Sequence, residues 1–177
     1  MIRRIFTLAI CSLFSLVLCA QRDLRIAEYL SSEKYSSGNG AFSSSYKQEW
    51  NNTRHKQKWS DKHGCKNVTL LRIEGKELDD YHLDVFKSLT LIPSDSIARD
   101  IEMRVLLDIK GSFVREVNHR DSCLYYGLFQ LPRGKGKKRY IFYRNNALVP
   151  NSDGVLTLIY MEGSASIEQL RKMFKKQ

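Results

Sequence analysis

The chain has 177 residues, the length of one domain once a leader is removed. Its 29 Lys and Arg outnumber 19 Asp and Glu, which gives a net charge of +10. A basic protein favours anionic partners such as acidic glycans or lipid head groups. Beyond the first twenty residues no stretch approaches the ~18 consecutive apolar residues of a membrane span, so no transmembrane segment is expected there.

The N-terminus has the pattern of a secretory signal peptide. A basic start, Met1–Arg4, precedes an apolar run, Ile5–Cys19, and the small residue Ala20. Acylation of the cysteine that ends the run needs a small residue where Leu18 stands, so cleavage after residue 20 is favoured. Removal of two arginines leaves residues 21–177 with a charge of +8 (27 − 19). Export to the periplasm, cell envelope or extracellular space is predicted, and nucleic acid is not expected as a partner.

Residues 21–63 are predicted to form an N-terminal region distinct from the domain that follows. A helix is expected over Asp23–Tyr35, capped by the carboxylate at its start. Ser36–Ser45 has the Ser/Gly composition of a linker. Tyr46–His63 is a polar, helix-compatible arm with interleaved basic and aromatic residues. Such an arm can bind an anionic polymer, but an exposed helix whose tryptophans cover core edges is the favoured interpretation.

Residues 64–177 are predicted to form a single α+β domain. A mainly antiparallel sheet of four or five strands packs with two or three helices. The helices include one beginning at Ser94, with a buried stripe of isoleucine and valine, and one beginning at Ser166, where Gln169 completes a capping box. Five segments have strand patterns: Val68–Glu74, Val85–Leu91, Cys123–Leu131, Arg139–Arg144 and Val155–Met161.

Val155–Met161 is predicted to lie in the middle of the sheet. It is almost wholly apolar, and turn signals flank it on both sides. Its side chains point alternately to the two faces of the sheet, so other parts of the protein must pack on both faces. Two helices packed together cover only one face, so the other is closed by the N-terminal region or by a partner.

Two cysteines remain after the leader, Cys65 and Cys123. In an oxidising compartment they could form one disulfide, and the alternative is two buried free thiols. A zinc site that adds His63 and His119 lacks the usual ligand spacings. No metal and no cofactor are therefore expected.

A basic hairpin tip is the predicted binding site for an anionic partner. Pro132–Lys138 joins two strand candidates, and its glycines supply positive φ for a turn. Positive charge is concentrated there in five residues: Arg133, Lys135, Lys137, Lys138 and Arg139. The pattern is not a phosphate-binding loop, since the full glycine and lysine spacing is absent.

Three stretches carry a resemblance to a known family. They read Gly-Cys-Lys-Asn-Val-Thr-Leu-Leu-Arg-Ile at 64–73, Phe-Lys-Ser-Leu at 86–89 and Leu-Thr-Leu-Ile-Tyr-Met-Glu-Gly at 156–163. With the leader and the final helix, this order resembles a domain-of-unknown-function family of small exported proteins of Bacteroidales-type Gram-negative bacteria. The resemblance implies export to the envelope and an α+β fold. It implies no catalytic residues.

The functional hypothesis is a non-enzymatic envelope protein that acts as a binding or structural module, with an anionic envelope surface, a glycan or another envelope protein as partner. No catalytic residue is assigned. One alternative is a small secreted hydrolase that uses His119 with Asp121 or Cys123. Another is a partner-binding component of an envelope assembly, which predicts an exposed apolar patch or an unpaired sheet edge.

Overall fold

The computed structural model describes residues 24–30, 45–49, 64–134 and 137–175. The α-helices are α1 (Ala27–Leu30), α2 (Asp95–Asp108) and α3 (Ile167–Lys175), and two short 3₁₀ helices span Lys76–Tyr81 and Asn146–Leu148. The strands are β1 (Ser45–Glu49), β2 (Lys66–Gly75), β3 (Leu83–Ile92), β4 (Phe113–Arg120), β5 (Cys123–Gly134), β6 (Lys137–Asn145) and β7 (Leu156–Gly163).

All strands belong to one open antiparallel sheet in the order β1-β2-β3-β7-β6-β5-β4. The predicted α+β class and antiparallel sheet are confirmed. The predicted number of four or five strands is wrong, because residues 64–175 alone supply six and β1 adds a short one at an edge. β7 pairs with β3 and β6 and is the middle strand of the order, as its apolar composition indicates.

Two strands, β4 and β1, were not predicted from the sequence. β4 is joined to β5 by Asp121 and Ser122, which both have positive φ (49° and 64°), the conformation of a two-residue hairpin turn. β1 includes the start of the segment predicted as a helix-compatible arm, and it pairs with β2 instead. The rest of the predicted arm, residues 36–44 of the predicted linker and the predicted leader lie outside the described residues.

The central strand β7 divides the core into two halves. Leu156 and Leu158 point to one face of the sheet, which we call face A, and they join a cluster that includes residues of α1 and α2. Ile159 and Met161 point to the other face, face B, and pack with α3. The two long helices therefore lie on opposite faces of the sheet, so neither face of β7 is left open at the centre.

The α3 helix begins with the predicted capping box. The Ser166 backbone N–H donates to Gln169 Oε1 (2.7 Å), and the Gln169 N–H donates to Ser166 Oγ (3.2 Å). Leu170 is fully buried on face B, and the Phe174 ring stacks on Phe142 with centroids 4.3 Å apart. These contacts hold a nine-residue helix that is too short to be stable alone.

The α2 helix crosses face A between β3 and β4. It begins after Ser94, which has the extended conformation of an N-cap residue as predicted. Its hydroxyl, however, lies 3.1 Å from Ser96 Oγ and makes no side-chain capping bond to the helix. Ile101 and Val105 are fully buried against the sheet, which confirms the predicted inner stripe.

The N-terminal α1 helix is fastened to α2 by polar contacts. Asp108 accepts the backbone N–H groups of Arg25 and Ile26 at its two carboxylate oxygens, each at 2.9 Å. The predicted cap at the start of this helix, Asp23, lies outside the described residues. The described helix therefore takes its N-terminal acceptor from a neighbouring helix.

Candidate functional site

The predicted basic tip comprises five residues: Arg133, Lys135, Lys137, Lys138 and Arg139. Lys135 lies outside the described residues, and the side chain of Arg133 is not described. Lys137 is about half exposed, and its Nζ lies 3.2 Å from Asp84 Oδ2. One of the cations expected to bind a partner thus already forms an ion pair with a carboxylate of the same chain.

The other two described cations of the tip also contact their own chain. Lys138 Nζ donates to the backbone oxygens of Ser164 and Ala165, each at 3.3 Å. Arg139 Nη2 donates to the backbone oxygen of Pro132 at 3.0 Å. These groups stabilise the loop before α3 and the strands of the hairpin, which leaves them less available to an anionic ligand.

Cys65 and Cys123 are not joined by a disulfide in the structure. Cys65 precedes β2 and Cys123 begins β5, with three strands between them in the sheet. Neighbouring strands lie about 4.8 Å apart, so the path across the sheet is about 19 Å, far beyond disulfide reach. Burial raises the pKa of the Cys65 thiol, which keeps it protonated and weakly reactive.

The residues of the hydrolase hypothesis lie around the turn between β4 and β5. His119 is exposed on β4, and Asp121 is exposed in the following turn. Cys123 stands opposite Arg120 in the strand register, one position beyond the pair formed by His119. Within the described ranges no three His, Cys, Asp or Glu residues cluster to hold a metal ion, and His63 of the zinc hypothesis lies outside those ranges.

The outer face of α2 presents an exposed apolar cluster. Met103, Leu106 and Leu107 are 52%, 45% and 44% exposed, unusual values for large apolar side chains on one helix. With 3.6 residues per turn, they project within about 100° of the helix surface, opposite the buried inner stripe.

Basic residues stand at both ends of this cluster. Arg99 precedes Met103 by four residues in α2 and projects on the same side, and Lys110 lies two residues beyond the end of the helix. Both are exposed, Asp95 and Asp100 border this sector, and the Arg99 Nε donates to the backbone oxygen of Asp95 at 3.3 Å. We call these five residues the α2 stripe: Arg99, Met103, Leu106, Leu107 and Lys110.

Contacts on the other sides of α2 fix which face points outward. Glu102 Oε1 accepts the backbone N–H of Leu124 in β5 at 2.7 Å. On the opposite flank, Arg104 bonds Asp100 (2.7 Å) and Glu28 of the N-terminal region (2.8 Å). The helix is held against rotation from both flanks, so the stripe is a fixed feature of the surface.

The β4 edge is the second exposed feature. β4 is the last strand of the order, and Phe113 and Val117 on it are 61% and 41% exposed. Its register with β5 shifts twice, at positions 114–116 and 118–119. Bulges of this kind bend an edge strand and hinder the addition of another strand. The α2 stripe is therefore the more suitable contact surface.

Sequence reasoning identified the inner stripe of α2 and missed the outer one. The sequence of α2 has apolar residues on both sides of the helix, and a helix of that kind is expected to be covered on both sides. The exposure itself depends on the crossing of face A by α2, which places its outer side away from the sheet.

The described helices include none long and apolar enough to cross a membrane, in line with the expectation for the residues after the leader. Residues 56–174 match the model of a protein family described as "Family of unknown function (DUF6108)". No curated protein and no solved structure matches the chain. The match covers more than half of the sequence and most of the sheet, so the predicted membership of a family of unknown function is confirmed: the chain belongs to the DUF6108 family.

Proposed function

We propose that the chain is a non-enzymatic binding module of the cell envelope, exported by its N-terminal leader, which attaches to a partner surface through the α2 stripe. The supporting observation is the cluster of Met103, Leu106 and Leu107, about half exposed on a helix whose orientation is fixed. Exposed apolar clusters with polar surroundings are typical of interaction sites.

The charges around the cluster define the partner. Arg99 and Lys110 are exposed at its two ends. A complementary surface is apolar at its centre and negative around it. We assign the anionic contact to α2 because exposed cations lie there beside an exposed apolar cluster. Cations at both places also bond to their own chain: Arg99 Nε donates to the backbone oxygen of Asp95 at 3.3 Å, and the described cations of the tip have the contacts given above.

The test is fractionation of a Gram-negative host that expresses the whole chain. We expect the recovered protein to begin at Gln21 and to sediment with envelope fractions. The triple variant M103Q/L106Q/L107Q keeps good helix formers on an exposed face, so it should fold and shift to the soluble periplasmic fraction. The control Y81Q removes another exposed apolar side chain, 48% exposed on a 3₁₀ helix, and should leave sedimentation unchanged.

Two results would contradict the proposal. If the triple variant sediments with the envelope as fully as the unaltered chain, the α2 stripe is not the attachment surface. If the unaltered chain stays in the cytoplasm with its first twenty residues intact, the export part of the proposal is wrong.

A further inference from the structure

We infer that the partner surface of the α2 stripe is an anionic phospholipid bilayer, on which α2 lies parallel to the membrane plane. This inference rests on the proposed function and names its ligand. It is carried by three properties of the stripe: its small apolar area, its convex shape and the two cations at its ends.

The apolar area is small for a protein interface. A standard interface buries roughly 800 Å² on each partner, from 20–30 residues. The stripe offers three half-exposed apolar side chains on the outer side of a helix, which is a convex surface. A bilayer needs no pre-formed complement, because its head groups move apart around inserted side chains.

A second copy of the chain is a poor occupant because of charge. If two α2 helices pack antiparallel through the stripe, Arg99 of one copy lies beside Lys110 of the other. If they pack parallel, each cation meets its own counterpart. Either arrangement brings like charges together at both ends of the contact.

An anionic bilayer is complementary to the apolar centre of the stripe and to the cations at its ends. α2 has 14 residues and is about 21 Å long, too short to cross a membrane but suited to lie in its surface. Met103, Leu106 and Leu107 would enter the acyl boundary. Arg99 and Lys110 would extend their apolar stems beside them and place their charges among the phosphates. The net charge of +8 for residues 21–177 (27 − 19) adds long-range attraction.

The direct test uses residues 21–177 and two kinds of vesicle, because the leader would itself bind lipid. We expect cosedimentation with phosphatidylglycerol–phosphatidylethanolamine vesicles that weakens as salt is raised, and little with phosphatidylcholine vesicles. R99Q/K110Q should weaken binding about 30-fold, since each basic residue near an anionic surface contributes ~1 kcal/mol and 1.4 kcal/mol is tenfold.

A matched variant separates the stripe from overall charge. K76Q/K172Q lowers the net charge by the same two units at exposed sites on other helices and should weaken binding several-fold less than R99Q/K110Q. M103Q/L106Q/L107Q should abolish retention at high salt. Thermal unfolding of each variant checks that the fold is intact.

The outcomes are distinguishable from those of the envelope experiment. If the chain ignores anionic vesicles while its envelope sedimentation still depends on the stripe, the lipid inference is wrong and a protein partner is indicated. Equal vesicle binding by R99Q/K110Q and K76Q/K172Q would also overturn it, because binding would then depend only on the net charge of the chain.

Discussion

Gly163, at the end of β7, is held where no side chain fits. A Cβ there would lie 2.5 Å from the backbone oxygen of His82 and 2.7 Å from the Cα of Leu83. The same oxygen accepts the N–H groups of Ser164 and Ala165, each at 2.9 Å. This close approach joins the end of β7 to the turn before β3 and sets the path of the chain into α3.

We predict that Gly163→Ala destabilises the fold by about 1–3 kcal/mol, because the methyl group pushes against backbone that has no room to move. Gly111→Ala is the control. That glycine has φ of +81° but nothing within 4 Å of its added Cβ, so only backbone strain of about 1 kcal/mol applies. Urea denaturation measures both, and a loss at Gly163 no larger than that at Gly111 would contradict the account.

Helices and strands could be predicted where a local pattern of residue types determines them. The capping box of α3 and the central position of β7 follow from residue types alone. β4 was missed because Phe113–Arg120 does not alternate regularly between apolar and polar residues, in keeping with the two shifts in its register. Its turn is also Asp-Ser, whereas the familiar hairpin signal is Asp-Gly. β1 was missed because Tyr46–Glu49 is polar, and pairing with β2 overrides its helix-compatible composition.

The candidate site was predictable only in part. The sequence indicates where cations are concentrated, but it does not show that Lys137 has a partner in Asp84, a residue far away in the chain. The apolar residues Met103 and Leu107 are visible in the sequence as well. Their exposure depends on which side of α2 meets the sheet, and that is decided by tertiary packing.

At the scale of the α1–α2 pair, we predict that Asp108→Ala loosens α1. The change leaves the backbone N–H groups of Arg25 and Ile26 without their acceptor, at a cost of about 1–3 kcal/mol. Amide hydrogen exchange at those two residues should accelerate. Asp80→Ala, which removes an exposed carboxylate elsewhere, should not affect it. Unchanged exchange in the Asp108 variant would show that these two hydrogen bonds do not hold α1 in place.

The whole molecule is a sheet with helices on opposite faces, and its stability should fall in alkali. Burial, with a hydrogen bond to Glu116, raises the pKa of Tyr126 to about 12. Burial also raises the pKa of three further tyrosines: Tyr29, Tyr143 and Tyr160. Because the folded-state pKa lies above the unfolded value of about 10, each neutral phenol contributes fully below pH 10, and the contribution is lost as pH rises through the folded-state pKa.

We therefore predict a nearly constant contribution of these tyrosines to the free energy of unfolding below about pH 10 and a steep loss above it. Urea denaturation at stepped pH, with tyrosinate absorbance recorded in parallel, measures this. Tyr126→Phe should reduce the alkaline slope, since one titrating group is removed. Full ionisation of the tyrosines near pH 10 without unfolding would contradict the burial of these side chains.

The central claim is that α2 meets the membrane through its outer face. Methyl NMR of the leaderless chain on anionic vesicles that contain a head-group spin label tests it most directly. We predict that the methyl signals of Met103, Leu106 and Leu107 broaden first, while those of Ile167 and Met173 on α3, across the sheet, keep their intensity. Broadening centred on α3, or equal broadening on both helices, would contradict the account.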